Sequence, residues 1–227
     1  MATVSLQNST LETQLPTEWT LADLQRHLGG IPLERIRMYP PPGMATLEDA
    51  ISVDRHEDLA CELIDGILVE KTMGWYESLL AAYIVQKLGN FLDTHKLGKA
   101  LTTDATLQIL YNQMRMPDAC FISWKRFPGG TLPREPMPRL VPDLAIEVLS
   151  PSNTPGEMQR KRRDYFAAGV ELVWQIDPET QTAQVFTSET NVTDIAADGV
   201  LDGAHVLPGF QLSLGELFEK AEQFGGE

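Results

Sequence analysis

Two carboxylates stand in strands that are otherwise apolar. Asp118 follows Arg115-Met116-Pro117 and opens the run Ala119-Cys120-Phe121-Ile122, while Glu147 interrupts Leu144-Ala145-Ile146 and Val148-Leu149. An acid in such surroundings is costly unless a cation, a proton or a metal meets it. Asp143 shares the second strand with Glu147, and alternate residues of a strand share a face. Four residues nevertheless separate the two, about 13 Å at about 3.3 Å per residue, too far for one ion. A neighbouring strand lies only about 5 Å away. Asp118 is therefore the natural partner of Glu147, and Asp143 is left at most a supporting place behind them. Two carboxylates that close share a proton or bind a hard cation. Donors that are all oxygen suit magnesium or manganese.

Lys161 supplies a third group. Helical spacing puts it on one stripe with Met158 and Tyr165, the side expected to meet the sheet, while Arg160, Arg163 and Asp164 fall elsewhere. Its ammonium can then reach the acids, or its stem can pass the core and leave the charge in water. Arg160, Arg162 and Arg163 form a local basic strip that could approach phosphate. Plainer roles exist for each acid: Asp118 capping a strand entry after proline, and Glu147 in a structural ion pair with Arg162 or Arg163. Glu77, in the first turn of a helix, either complements the helix dipole or joins the site. Together these groups outline phosphodiester hydrolysis. A metal would lower the pKa of a bound water and stabilise charge on phosphate oxygens, with a lysine to orient the water.

The elements that must position these groups can be read from pattern. Asp65-Gly66, between Cys61-Glu62-Leu63-Ile64 and Ile67-Leu68-Val69-Glu70, marks a two-residue hairpin. A helix over 75–92 follows, with Leu80, Ile84, Leu88 and Phe91 on one face. Strands are expected at 101–110 and 116–124, joined around Tyr111-Asn112-Gln113. The apolar run 144–149 belongs in the middle of a sheet. Thr154-Pro155-Gly156-Glu157 begins a helix, with Thr154 as cap and Glu157 placed for a capping box, and Gly169 stops it. Strands at 171–176 and 182–187 follow, then an extended piece and a closing helix. Residues 1–45, with a short helix at 21–28 and the run Tyr39-Pro40-Pro41-Pro42-Gly43, are read as an accessory arm; residues 46–227 form the main domain.

Bulk properties narrow the classes. With 227 residues, 43% hydrophobic and 22% charged, the chain can bury one sizeable core. No apolar run has the length that spans a bilayer, and residues 1–18 lack the order of a secretory leader, so a cytoplasmic protein is expected. Cys61 and Cys120 are too few for a disulfide framework. GxSxG, GxxxxGK and zinc-type Cys/His spacing are all absent. A formal charge of -14 opposes nonspecific binding to a polyanion. Local charge must overcome it if nucleic acid is the partner.

At these residues the sequence resembles the PD-(D/E)XK nuclease superfamily. More narrowly, it is similar to a bacterial restriction endonuclease domain family formerly filed as a domain of unknown function. The pieces that match are Cys61-Glu62-Leu63-Ile64-Asp65-Gly66, Met116-Pro117-Asp118, Pro142-Asp143-Leu144-Ala145-Ile146-Glu147-Val148-Leu149-Ser150-Pro151-Ser152, Lys161 with Tyr165, and Ala168-Gly169-Val170 leading to Ile176-Asp177-Pro178. The resemblance implies an α/β restriction-endonuclease-like core, a mixed sheet flanked by helices, often in a homodimer. It implies a DNA endonuclease that uses Mg2+ or Mn2+, with Asp118 and Glu147 as metal ligands and Lys161 as the catalytic lysine. Glu77 would match the helical acid of parts of the superfamily. The superfamily's lysine stands two positions after the strand acid, where this chain has Leu149, so Lys161 is a substitute from the next helix. The competing expectation is a catalytically inactive module of the same fold that acts in protein interaction or regulation.

Overall fold

Threonines open the first two helices of the structure, a computed structural model that describes residues 15–16, 18–102 and 105–222. In α1 (Leu21–His27) and α2 (Leu47–Glu57) the capping hydroxyl accepts from the amide three residues on, and the aspartate there reaches back to the threonine amide. Most of the expected leaderless start, residues 1–18, lies outside the described residues. Asp65 and Gly66 take φ of 49° and 73° and turn β1 (Cys61–Ile64) into β2 (Ile67–Glu70), as a two-residue hairpin requires. Next comes α3 (Trp75–His95), which buries Leu80, Ile84 and Leu88.

The single strand expected over 101–110 is replaced by two. β3 (Gly98–Thr102), β4 (Leu107–Leu110), β5 (Gln113–Arg115) and β6 (Ala119–Ser123) follow one another, β3 pairing with β6 and β4 with β5. Asn112, at φ 50°, makes the turn that folds β4 back on β5. The remaining elements are β7 (Leu144–Val148), α4 (Pro155–Ala168), β8 (Leu172–Asp177), β9 (Thr182–Phe186), β10 (Val192–Ile195), β11 (Val200–Asp202), β12 (Gln211–Ser213) and α5 (Leu214–Glu222).

A mixed sheet of order β10-β9-β8-β7-β6-β3 carries the core, and a second sheet, β2-β1-β5-β4, lies beside it. β7 and β8 are parallel and joined by α4; the other pairs of the large sheet are antiparallel. The central place of β7 explains its nearly continuous apolar sequence. Leu144, Ile146 and Val148 pack in one cluster with residues of α3 and α5, whereas Ala145 packs with Tyr165 of α4. Glu147 therefore turns toward α4. In β6, Ala119 and Phe121 join the first cluster and Cys120 and Ile122 the second, so Asp118 shares the α4 side.

Residues before α2 are packed onto the rest of the chain. Leu24, Leu28, Ile31 and Ile36 form one apolar cluster with Ile64, Ile67 and Val69 of the hairpin. Gly29 backs onto Gly156 in the first turn of α4, too close for a Cβ on either residue. Thr154 Oγ accepts from the Glu157 amide at 3.1 Å and donates to the Gly29 carbonyl at 2.7 Å. The full capping box does not form, because the Glu157 carboxylate is taken by Arg35 through two bonds of 2.8 and 3.1 Å.

Asp65 ties the hairpin tip to α1, β5 and α4. It accepts from His27 at 2.9 Å, from Gln113 at 2.8 Å and from Arg160. The His27 hydrogen bond, followed by the Arg160 charge, outweighs burial and lowers its carboxyl from 3.8 to about 2. A depressed carboxyl stabilises the fold above its unfolded value, and that contribution is lost as pH falls toward the folded one. Because Asp65 is only partly buried and its pairs are screened, on the order of 1 kcal/mol of stability should disappear between pH of about 4 and about 2. Urea unfolding across this window should show Asp65→Asn losing correspondingly less than the parent.

Candidate functional site

The chain crosses from the small sheet to the large one at Met116-Pro117-Asp118, between β5 and β6, and the candidate site lies at this crossing. In the β6–β7 ladder Ala119 pairs with Ile146. One more step of that register sets Asp118 opposite Glu147, the separation at which two carboxylates interact directly. Both are buried, and the Asp118 charge is one of the influences that raise the Glu147 carboxyl. Proline at 117 has no amide hydrogen to extend the ladder, which suits the end of a strand.

Each acid is held from two sides. Asp118 Oδ2 accepts from the Val148 amide at 2.7 Å, and Oδ1 pairs with Lys71 Nζ at 2.8 Å. Glu147 Oε2 accepts from Lys161 at 2.9 Å and Oε1 from the Tyr165 hydroxyl at 2.6 Å. The same Lys161 lies 3.2 Å from Glu62, whose other oxygen accepts from Arg115 at 2.7 Å; Arg115 in turn pairs with Asp164. Acids and cations from β1, β2, β5, β6, β7 and α4 thus form one buried array.

Burial and partners set the charges in this array. Desolvation raises the Glu147 carboxyl, and the attraction of Lys161 does not fully offset it. Glu62 is equally buried, yet Lys161 and Arg115 outweigh desolvation and hold its carboxyl well below the ordinary range. Burial alone would lower the Lys161 ammonium; Glu147 and Glu62 raise it instead. Lys161 is therefore a fixed positive charge rather than a proton donor at neutral pH.

Other candidate residues fall in different places. Glu77 shares the recess with Asp118, Glu147 and Lys161, and its carboxylate folds back over Gly74 at the start of α3. Asp143 stands at the far end of β7, where it accepts from the Ser123 amide at 2.6 Å and Arg126 at 2.9 Å. It braces the loop after β6 and supports neither acid. Arg160 is buried against Asp65 and the His27 carbonyl, which corrects its expected place at phosphate. Arg162 lies over the Phe186 ring at 4.2 Å and lines a cleft of about 690 Å³ next to the recess. Arg163 is 53% exposed and lies 3.7 Å from Asp164.

Comparison with known proteins gives this geometry a context. The sequence profile of Uma2, described as "Putative restriction endonuclease", matches residues 46–215. The chain belongs to the Uma2 family. Among solved structures, a protein of Anabaena variabilis ATCC 29413, described as a "putative nuclease belonging to DUF820", superposes with a TM-score of 0.64 at 21% identity, covering 72% of this chain and 92% of that one. That likeness establishes the shared fold. No curated protein matches the chain.

Four members of the array in this Uma2 chain, Glu62, Lys71, Arg115 and Asp164, are not among the site residues expected from sequence, and Asp164, expected off the packed face of α4, is buried against Arg115. Glu62 carries the same signal as Glu147, a charge within the apolar strand β1. Arg115 directly precedes Met116-Pro117-Asp118 and is 1% exposed. Lys71 directly follows β2, next to Glu70, where sequence gives no reason to expect an inward charge. Among the described residues no helix is long and apolar enough to cross a membrane.

Removing one cation from a buried array leaves its acids uncompensated. Lys161→Met should destabilise the fold by about 3–5 kcal/mol in urea unfolding. Adding Glu147→Gln to that variant should recover a large part of the loss, since it removes one stranded charge.

Proposed function

We propose that this chain is an endonuclease that hydrolyses DNA phosphodiester bonds with magnesium or manganese. The observation that carries the reading is the placement of Asp118 and Glu147 across one antiparallel ladder, on one face, with Lys161 at 2.9 Å from Glu147. Membership of a family described as restriction endonucleases, and the fold shared with a protein described as a nuclease, support the same chemistry.

The donor set fits a hard divalent cation. Asp118 and Glu147 would hold it, each carboxylate oxygen having a lone pair beyond the protein donor it now accepts. Among the described residues no three His, Cys, Asp or Glu side chains converge on one point. Magnesium needs no more than one or two carboxylates, because it keeps several waters and takes substrate oxygens directly. When bound, the ion supplies a water of lowered pKa and charge stabilisation on the phosphate oxygens.

The protein's own part is positioning. The Val148 amide fixes Asp118, and Tyr165 with Lys161 fixes Glu147. In the hydrolysis a water oxygen bonds to phosphorus as the ester P–O bond breaks. One proton of that water passes through solvent to the departing alkoxide, leaving a phosphomonoester and an alcohol. Arg162, which lines the cleft, would meet a flanking phosphate, and the exposed Arg163 would be a further candidate. The cleft is not broadly basic, since its walls also carry Glu77, Asp177 and Glu179. Few phosphate contacts imply a shallow dependence of affinity on salt.

A second reading, an inactive module of this fold that binds a protein partner, is favoured by the net charge of -14 and by the ion pairs that occupy Lys71, Lys161 and Arg115. Metal binding and plasmid nicking separate the two. On the nuclease reading, Asp118→Ala and Glu147→Ala reduce magnesium-dependent nicking by about 100-fold or more while circular dichroism stays that of the parent. Parent-level nicking by both variants removes the assignment, and a parent that neither binds manganese nor cuts DNA supports the second reading.

A further inference from the structure

Two residues beyond Glu147, just past the end of β7, stands the apolar Leu149, and the lysines of the recess that could meet the scissile phosphate are Lys71 and Lys161. Lys161 is committed to a pair of acids, Glu147 at 2.9 Å and Glu62 at 3.2 Å; its side chain is 4% exposed and that of Lys71 7%, so the number of acids each meets, and not burial, separates them. Swinging the Lys161 ammonium toward substrate would leave the buried Glu147 with the Tyr165 hydroxyl alone and take one of two cations from Glu62, which keeps Arg115.

Lys71 is placed differently. Its ammonium meets one carboxylate, Asp118 Oδ1 at 2.8 Å, and the Met116 carbonyl. Asp118 keeps the Val148 amide at 2.7 Å when that ammonium turns away, so its orientation does not depend on Lys71 alone. The backbone of Lys71 is anchored through its amide to the Ala60 carbonyl at 2.8 Å, and the next residue, Thr72, bonds Ser152 across the recess at 2.8 Å. The stem is thus fixed at its base while its head stands beside one of the two acids.

Building on the nuclease reading, we propose that Lys71 is the catalytic lysine, the side chain whose ammonium contacts a non-bridging oxygen of the scissile phosphate, and that Lys161 is a positioning residue that holds Glu147. Lys71 moves no proton in this role. It offsets charge on the phosphate as water adds and the ester bond breaks, with the atom balance given above. If Asp118 held a divalent cation, the Lys71 ammonium would share that carboxylate with it and would be free to turn toward the incoming anion.

The test compares the full chain with Lys71→Met, Lys71→Arg and Lys161→Met. Three readouts are needed: plasmid nicking resolved into kcat and KM, manganese binding by electron paramagnetic resonance without DNA, and affinity for a short labelled duplex with calcium in place of magnesium. Lys71→Met should lower kcat by about 100-fold, and Lys71→Arg should restore about tenfold of that. Manganese should bind Lys71→Met at least as tightly as the parent, because a competing cation has gone. It should bind Lys161→Met more weakly, because Glu147 has lost its support. Parent-level kcat in Lys71→Met, or loss of manganese affinity in that variant, overturns the proposal. If Lys71→Met fails to fold, Lys71→Gln takes its place, and parent-level kcat there overturns it equally. If the parent cuts no DNA, the nuclease reading falls by itself. Lys71 is then judged on duplex affinity, where a drop of about fivefold or more in Lys71→Met supports the phosphate contact and an unchanged value refutes it.

Discussion

A buried charge tolerates little freedom in its partner, and this constraint organises the interior around the site. Glu62, Asp118, Glu147 and Asp164 are all at most 4% exposed, and each is met by Lys71, Lys161 or Arg115. The acids and cations come from both sheets and from α4. Apolar contact alone lets sheets slide at small cost, since it is non-directional. A network of this kind does not, because every shift leaves a desolvated group without its partner. The chemistry attributed to Asp118 and Glu147 uses positions that folding has already fixed.

α4 shows how far this departs from simple amphipathic packing. Glu157, Arg160, Lys161 and Asp164 are buried along with Met158 and Tyr165, and each of the four charges answers a different element. Glu157 meets Arg35 in the segment before α2, Arg160 meets the hairpin tip, Lys161 meets β1 and β7, and Asp164 meets β5. The helix acts as a charged key. The register of its ion pairs sets its rotation and height on the sheet more sharply than a stripe of leucines would.

What could be read from the chain beforehand follows the reach of the forces involved. Local chemistry was legible: the Asp65-Gly66 turn, the Thr154 start and Gly169 stop of α4, and the central burial of β7 all depend on neighbours within a few residues. The facing of Asp118 and Glu147 was legible too, because strand periodicity and a lone charge in an apolar run leave few alternatives. Long-range pairing was not. Arg160 looked exposed because nothing nearby in sequence announces Asp65 or the His27 carbonyl. Asp143 looked like part of the site because it shares a face with Glu147, yet Arg126 and the Ser123 amide claim it at the other end of the strand. The folding of β4 back onto β5, away from β3, turned on Asn112 adopting a left-handed conformation, which sequence permits but does not require.

The contact between Arg35 and Glu157 bears on how such a chain can be recombined. The region shared with the family begins at residue 46, but the guanidinium that answers Glu157 stands before it, as does Gly29, whose missing side chain leaves room for Gly156. The leading stretch and the fourth helix are therefore a matched set. A chimera that kept this helix would need its preceding residues to supply both a guanidinium for Glu157 and a residue without a side chain opposite Gly156. Shuffling boundaries belong upstream of α1 rather than at the edge of the matched region.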